Sequence, residues 1–112
     1  MRKGLLTVAT FALLALGGTP SAFGQSMSAV NMNPDSFDQT ELHVSAGTMV
    51  TWNNASSSLH TVTADDTSFD SGDVAPGTMF MQEFDNPGTY AYHCQYHGDV
   101  GGVGMSGVIV VE

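Results

Sequence analysis

The sequence predicts an all-β domain, either a sandwich or a barrel, from two observations. Gly, Pro, Asn and Asp recur at short intervals along residues 25–112, and the short runs between them alternate apolar and polar residues. No segment sustains the 3.6-residue period of an amphipathic helix, and no internal repeat is visible. Turns are expected at Asn33–Asp35, Ala46–Gly47, Asp65–Asp66, Pro76–Gly77 and Asn86–Gly88. The strands predicted around these turns are Ala29–Met32, Glu41–Ser45, Thr48–Asn53, His60–Ala64, Phe69–Asp70, Thr78–Phe84, Gly88–His93 and Ser106–Val111.

Residues 1–24 are interpreted as a secretory signal peptide that precedes this domain. A positively charged start, Met1–Lys3, is followed by an apolar run from Leu5 to Leu16 and by small residues at Ala22–Gly24. The apolar run is shorter than the roughly 20 residues that a membrane-spanning helix needs. An uncleaved N-terminal anchor is the alternative. We therefore expect an exported protein, periplasmic or extracellular, whose mature domain is residues 25–112 and has no membrane span.

The charge of the mature domain is strongly negative. Both basic residues, Arg2 and Lys3, lie in the predicted signal peptide, and all eleven acidic residues follow it, so the domain carries about −11 with neutral histidines. Nucleic acid and anionic lipid are therefore excluded as favourable partners. The charge suits a partner protein with a basic docking surface, or a saline medium that screens self-repulsion. We expect the domain to be a monomer.

Four residues are candidates for one metal site: His60, Cys94, His97 and Met105. Cys94 is the only cysteine in the chain and so has no partner for an intramolecular disulfide. Together the four side chains offer one thiolate, two imidazoles and one thioether, which is the soft, mixed ligand set of a blue-copper centre. The spacing Cys94-x-x-His97 lets both residues bind one ion from a single turn that follows a strand.

Strand alternation predicts which of these side chains point inward. His60 shares a strand face with Val62, and Cys94 shares a face with Tyr90 and Tyr92. His93 therefore points to the opposite face and is not expected to join Cys94 at the same metal. His43 is likewise expected to be structural or exposed to solvent.

Each candidate has a simpler interpretation. A lone cysteine is often a small buried hydrophobe, an inward histidine is often a core residue, and Met105 is one of seven methionines. Among other functions, a copper carrier or buffer would favour exposed methionines and a more open site. A zinc protein could use the same histidines and thiolate, and an enzyme with a cysteine nucleophile would need an exposed thiol beside a base. Asn54–Ser56 matches a glycosylation sequon, which we interpret as a coincidence.

The mature chain resembles the cupredoxins of the plastocyanin, amicyanin and pseudoazurin group over nearly its whole length. The matching segments are Val44–Trp52, Leu59–Val62, Pro76–Gly77, Phe84, Pro87–Tyr90 and Cys94–Met105. The resemblance implies a Greek-key β-sandwich of about seven to eight strands with Tyr90 as its tyrosine corner. It also implies one type 1 copper ion with His60, Cys94 and His97 as equatorial ligands and Met105 as the axial ligand.

The same resemblance implies a function in electron transfer rather than catalysis. Such a protein shuttles single electrons between redox partner proteins through Cu(I) and Cu(II), so we do not expect an enzyme. The segment between His97 and Met105, Gly98–Gly104, is longer than in plastocyanin-like members. Because it is rich in glycine, it is predicted to be a mobile loop that serves as a docking surface.

Overall fold

Two β-sheets make up the part of the chain that the computed structural model describes, which is residues 25–112. The predicted signal peptide, residues 1–24, lies outside the described residues. The seven strands, numbered along the chain, are β1 Met27–Met32, β2 Glu41–Val44, β3 Thr48–Asn54, β4 Thr63–Ala64, β5 Met79–Phe84, β6 Gly88–Asp99 and β7 Val103–Val111. One sheet has the order β1-β3-β5 and the other has the order β2-β7-β6-β4. The predicted all-β sandwich of seven to eight strands is confirmed.

The chain crosses between the two sheets at short turns. β2 belongs to the four-stranded sheet and β3 to the three-stranded sheet, and the turn that joins them contains Gly47 at φ 91°. Glycine suits this position because other residues rarely adopt a positive φ. As a result of the crossings, β1 runs parallel to β3 and β2 runs parallel to β7, whereas the remaining pairs are antiparallel.

The core lies between the sheets and is centred on Trp52. This indole is completely buried and contacts Tyr92 of the opposite sheet edge-on, with ring centroids 5.3 Å apart. Phe80 and Phe84 pack against it from β5 at centroid distances of 5.8 and 6.3 Å. Burial of each such side chain contributes about 1.5–3 kcal/mol, so this aromatic group provides much of the force that holds the sheets together.

The tyrosine corner expected from the family resemblance is present. The Tyr90 hydroxyl donates a hydrogen bond to the carbonyl oxygen of Asn86 at 2.7 Å. This bond closes the turn before β6 and fixes the start of the strand that carries Cys94.

Two predicted strands are shorter or absent in the structure. Only Thr63–Ala64 of the predicted strand His60–Ala64 is a strand, and Phe69–Asp70 contributes only an isolated bridge. The backbone of this region is held by pairs of hydrogen bonds to the loop that follows it. His60 and Val74 exchange two backbone bonds, and Val62 donates to the Ser71 hydroxyl and accepts from the Ser71 amide. The polar groups are thus satisfied without a continuous ladder.

The segment Gly98–Gly104, predicted as a loop, is a β-hairpin in the structure, whereas its mobility and docking role stay predictions. β6 continues to Asp99 and pairs with β7, with Gly98 opposite Gly104 and Asp99 opposite Val103, so the segment is a β-hairpin. A Cβ atom on Gly98 would lie 2.5 Å from the carbonyl oxygen of Met105. Glycine is needed here because two backbones approach closely, not because the segment must be flexible.

Candidate metal centre

Three of the four predicted donors meet at one end of the sandwich. The ligand atoms of His60, Cys94 and His97 all lie within 4.8 Å of one another. Nδ1 of His60 is 3.6 Å and Nδ1 of His97 is 3.4 Å from Sγ of Cys94. His60 and Cys94 are fully buried, whereas His97 is exposed. The cluster is therefore closed on the protein side and reaches solvent through one imidazole.

Cys94 lies in an irregular stretch of β6 that explains this geometry. The register between β6 and β7 shifts between His93 and Gly98, so residues 94–97 leave the regular ladder. Such a bulge bends a strand and redirects its side chains. Consequently Cys94 and His97, three positions apart on one strand, both face the same point.

Thr61 joins the two segments that carry the donors. Its amide donates to Sγ of Cys94 at 3.4 Å, and its hydroxyl accepts a hydrogen bond from the amide of Gln95 at 2.9 Å. The first hydrogen bond fixes the position of the sulfur, and the second bond holds the two segments at a fixed separation. Thr61 was not predicted from the sequence, although its position directly after His60 was the available signal.

The second nitrogen of His60 is held by a polar chain. Nε2 lies 3.0 Å from the Ser56 hydroxyl, which donates to Oδ1 of Asn54 at 2.7 Å. The orientation of the Asn54 amide is set because its Nδ2 donates to the carbonyl oxygens of Ser58 and Val74, both at 2.8 Å. Since the hydroxyl proton is committed to Asn54, the Ser56 oxygen accepts from Nε2–H of His60. This assigns the proton to Nε2 and leaves the Nδ1 lone pair facing Cys94.

Electrostatics keep His60 in the neutral form. Burial lowers the pKa of His60 below its ordinary value of 6.5, and proximity to His97 lowers it further. A neutral imidazole is the form that binds a metal ion. Both the protonation state and the fixed orientation of this ring are therefore suited to metal binding.

The interpretation of Asn54–Ser56 as a coincidental sequon agrees with the structure. Asn54 is 2% exposed, and its amide is used in the chain of hydrogen bonds that orients His60. The role of Asn54 and Ser56 next to the donors was not predicted.

Met105 lies on β7, directly after Gly104, where the backbones of β6 and β7 approach each other closely. It is 1% exposed and belongs to the same buried cluster as Cys94 and Val62. A Cβ atom on Gly104 would lie 2.5 Å from the carbonyl oxygen of His97. Gly98 and Gly104 thus allow the backbone that carries Met105 to lie against the backbone that carries His97.

The exposed part of the donor segment is tied to a neighbouring acidic loop. The Tyr96 hydroxyl donates to Oδ1 of Asp73, and Nε2 of Gln95 donates to Oδ2 of Asp70 at 3.4 Å. The hydrogen bond to Asp73 raises the pKa of Tyr96. These contacts restrain both residues that separate Cys94 from His97.

The other two histidines of the described region are outside the cluster, as predicted. Nδ1 of His93 lies 2.7 Å from Oδ1 of Asp65, on the far side of β6 from Cys94. The second oxygen of Asp65 accepts a hydrogen bond from the amide of Gly101 at 3.0 Å, so this carboxylate also fastens the tip of the hairpin. His43 is exposed and lies between Glu41 and Glu112.

The donor set fits copper. Thiolate and imidazole donors in a buried, hydrogen-bonded cluster match both Zn²⁺ and copper, and a thioether on an adjoining buried strand favours copper.

No helix within the described region has the length and apolar content to cross a bilayer.

Comparisons with known proteins agree with this chemistry. A family model described as a cupredoxin-like domain matches residues 6–111. A plastocyanin from Scenedesmus fuscus is 32% identical over 87 residues, which covers 68% of this chain and 86% of the plastocyanin.

Solved structures are similar over most of the chain. The reduced Cu(I) form of an amicyanin variant at pH 4 superimposes with a TM-score of 0.67 and 28% identity, covering 82% of this chain and 86% of amicyanin. A purple cupredoxin from Nitrosopumilus maritimus has the same fold, with a TM-score of 0.63 and 22% identity over 76% of this chain and 99% of its own.

Proposed function

Because this chain belongs to the cupredoxin family, we propose that it is a type 1 blue copper protein that passes single electrons between partner proteins. The observation that carries the proposal is the meeting of His60 Nδ1, Cys94 Sγ and His97 Nδ1 within 4.8 Å at one end of the sandwich. Bound copper supplies a one-electron couple between Cu(I) and Cu(II).

His60, Cys94 and His97 would hold the copper ion through two imidazoles and a thiolate, and Met105 would contribute its thioether as the weak ligand. Support for Met105 comes from its burial in the same cluster as Cys94 and from the hairpin that brings its backbone against that of His97. The ligand preferences of blue-copper sites call for a thioether in that position.

The surrounding residues suit a site whose geometry must not change. Thr61, Ser56 and Asn54 hold the buried donors through hydrogen bonds, and the closed sandwich keeps water from the sulfur. His97 is the exposed donor and is the proposed route by which electrons enter and leave. An oriented donor set limits the rearrangement that accompanies a change of oxidation state.

The partners are proposed to be redox proteins with basic docking surfaces. The acidic residues Asp65, Asp70 and Asp73 lie on the segments that contact β6 and its hairpin, and residues 25–112 contain no lysine or arginine. We further propose that residues 1–24 direct export to the periplasm or the extracellular space.

Catalysis is not part of the proposal. Cys94 is 0% exposed and packs in the core cluster with Val62 and Tyr92, so its sulfur is not accessible as a nucleophile. A copper carrier or buffer is the second candidate, and it is favoured by one observation: several methionines are exposed on the three-stranded sheet. The burial of His60 and Cys94 favours electron transfer over ready release of the metal.

Visible and EPR spectra of the copper-loaded protein test this function. The oxidised protein should be intensely blue, and Cys94→Ser should abolish the colour while leaving a folded β-domain, because the thiolate is the strong covalent ligand. His43→Gln, outside the cluster, is the matched control and should keep the full colour. A colourless oxidised protein that still binds copper would instead support the carrier, and full colour in Cys94→Ser would overturn the ligand assignment.

A further inference from the structure

Four methionines lie on the outward face of the three-stranded sheet. Met27, Met79 and Met81 are 66%, 58% and 45% exposed, and Met49 between them is half-buried. The remaining outward positions of these strands are small or polar residues. Exposed strand positions ordinarily favour β-branched and aromatic residues, so strand formation does not account for this choice.

The strand register places Met27 and Met81 on the two outer strands, on either side of Met49 on the central strand. Met27 of β1 is the direct partner of Met49 of β3. Met49 pairs with Glu83 of β5 and Thr51 pairs with Met81, so Met81 is the diagonal neighbour of Met49. Neighbouring strands are about 4.8 Å apart, and diagonal neighbours are about 7–8 Å apart.

Methionine is long enough and flexible enough to use this arrangement. Each side chain has three rotatable bonds, so thioethers on neighbouring positions can turn toward a common point. On the outward face they can do so without disturbing the core. Met79 lies two residues before Met81, farther from Met27, and pairs with Asn53 at the other end of the face.

The charge around the three methionines is negative. Glu83 is the direct partner of Met49, and the nearby Asp85 raises the pKa of Glu83 through a hydrogen bond and charge repulsion. No lysine or arginine occurs in residues 25–112 to offset these carboxylates. A cation held by neutral sulfur ligands would thus meet a favourable field.

We propose that Met27, Met49 and Met81 form a second metal site, which binds Cu(I) on the outer face of the three-stranded sheet. Thioethers are soft, uncharged donors that select Cu(I) over the harder divalent ions. The site is separate from the donor cluster, because Val30, Val50 and Trp52, which alternate with the outward residues on these strands, are buried in the core between the sheets.

Cu(I) titration of the reduced, copper-loaded protein tests the site in competition with a chromophoric Cu(I) chelator. We expect a second equivalent to bind. In the variant that combines Met27→Leu, Met49→Leu and Met81→Leu, binding of this equivalent should weaken by roughly tenfold or more because its ligands are lost. The first equivalent should stay. Met79→Leu is the matched control and should retain both equivalents.

Methyl NMR gives an independent readout in the same protein. The ε-methyl signals of Met27, Met49 and Met81 should shift with the second equivalent, and those of the buried Met32 and Met105 should not. Binding of one equivalent only, or a second equivalent that survives in the triple variant, would overturn the proposal. So would methyl shifts on addition of an apolar peptide but not of Cu(I), which would identify a docking face. Both experiments measure binding of the second equivalent of Cu(I). Their failure would therefore not contradict the blue-copper proposal, which the visible and EPR spectra test separately.

Discussion

Replacement of Ser56 by alanine tests whether the polar chain behind His60 prepares the donor cluster. The substitution removes the hydroxyl that accepts from Nε2–H of His60 at 3.0 Å. It also removes the acceptor for the amide of Ser58 at 3.1 Å, whereas Asn54 Oδ1 keeps its bond from the amide of residue 56 at 3.0 Å. The main loss is therefore one of the hydrogen-bond partners of the buried His60 ring, which keeps its backbone hydrogen bond to Asn33.

The magnitude follows from the burial of that ring. His60 is 0% exposed, so water does not replace the lost hydroxyl, and the loss of one intramolecular hydrogen bond costs about 0.5–1.5 kcal/mol. For a domain of this size, each kcal/mol lowers the melting temperature by about 4–8 °C. Removal of a group that orients a metal-bound histidine also lowers metal affinity, by roughly 10–100-fold. The blue colour should persist, since Cys94 is untouched.

The assay compares thermal unfolding of the metal-free and copper-loaded forms, together with copper affinity, for Ser56→Ala and for Ser57→Ala. Ser57 is the exposed neighbour in the same loop and serves as the matched control. The control should stay within about 0.5 kcal/mol of the parent. Equal stability and equal copper affinity of the two variants would refute the assignment of the proton to Nε2 and the role of Ser56.

The remaining predictions concern the potential, the hairpin, pH and salt. Met105→Leu should keep copper and colour but raise the reduction potential measured by redox titration, because the axial ligand tunes the potential; an unchanged potential would point to another axial group. Asp65→Ala should lower the free energy of unfolding by about 1–3 kcal/mol, because His93 loses its partner. It should also alter electron exchange, because the tip of the hairpin loses the bond from Gly101. A variant as stable as the parent in denaturant would contradict this. The pKa of His43 is raised above 6.5 by its hydrogen bonds to Glu112 and Glu41, so its stabilisation is fully present below about pH 6.5 and is lost as the pH rises through the raised folded value. The stability difference between the parent and His43→Gln should shrink over that rise, and a difference independent of pH would rule out the charge effect. Electron transfer to a basic cytochrome should slow with ionic strength, as the field of the acidic domain is screened beyond roughly 8–10 Å; a flat response would remove the docking role of the charge.

The fold could be predicted where one face of a strand is buried and the other is not. Thr48–Asn53 was predicted almost to its observed end because its side chains alternate between the core and the surface. His60–Ala64 could not be resolved in this way, since all of its residues are buried and the alternation carries no information. Its backbone partners lie in a loop that follows it, which a local pattern does not reveal.

Some residues of the candidate site could be predicted from the sequence and others could not. The clustering of His60, Cys94 and His97 could be predicted because their side-chain chemistry limits what they can do together. Ser56 and Thr61 are common polar residues whose role depends on which atoms the fold brings near them. The hairpin before Met105 was misread because glycine in a sequence indicates either flexibility or close approach, and only the pairing of Gly98 with Gly104 decides between them.

The parallel pairing of β2 with β7 has a consequence for the order of folding. Glu41 is paired with Val108, so two segments far apart in the sequence must meet before the four-stranded sheet exists. Domains dominated by such distant pairings fold slowly, in roughly milliseconds to seconds. β7 also carries Met105 and closes the hairpin after His97. During synthesis β2 stays without its neighbour until this strand has emerged, so Met105 reaches the donor cluster in the same late step that completes the sheet supporting it.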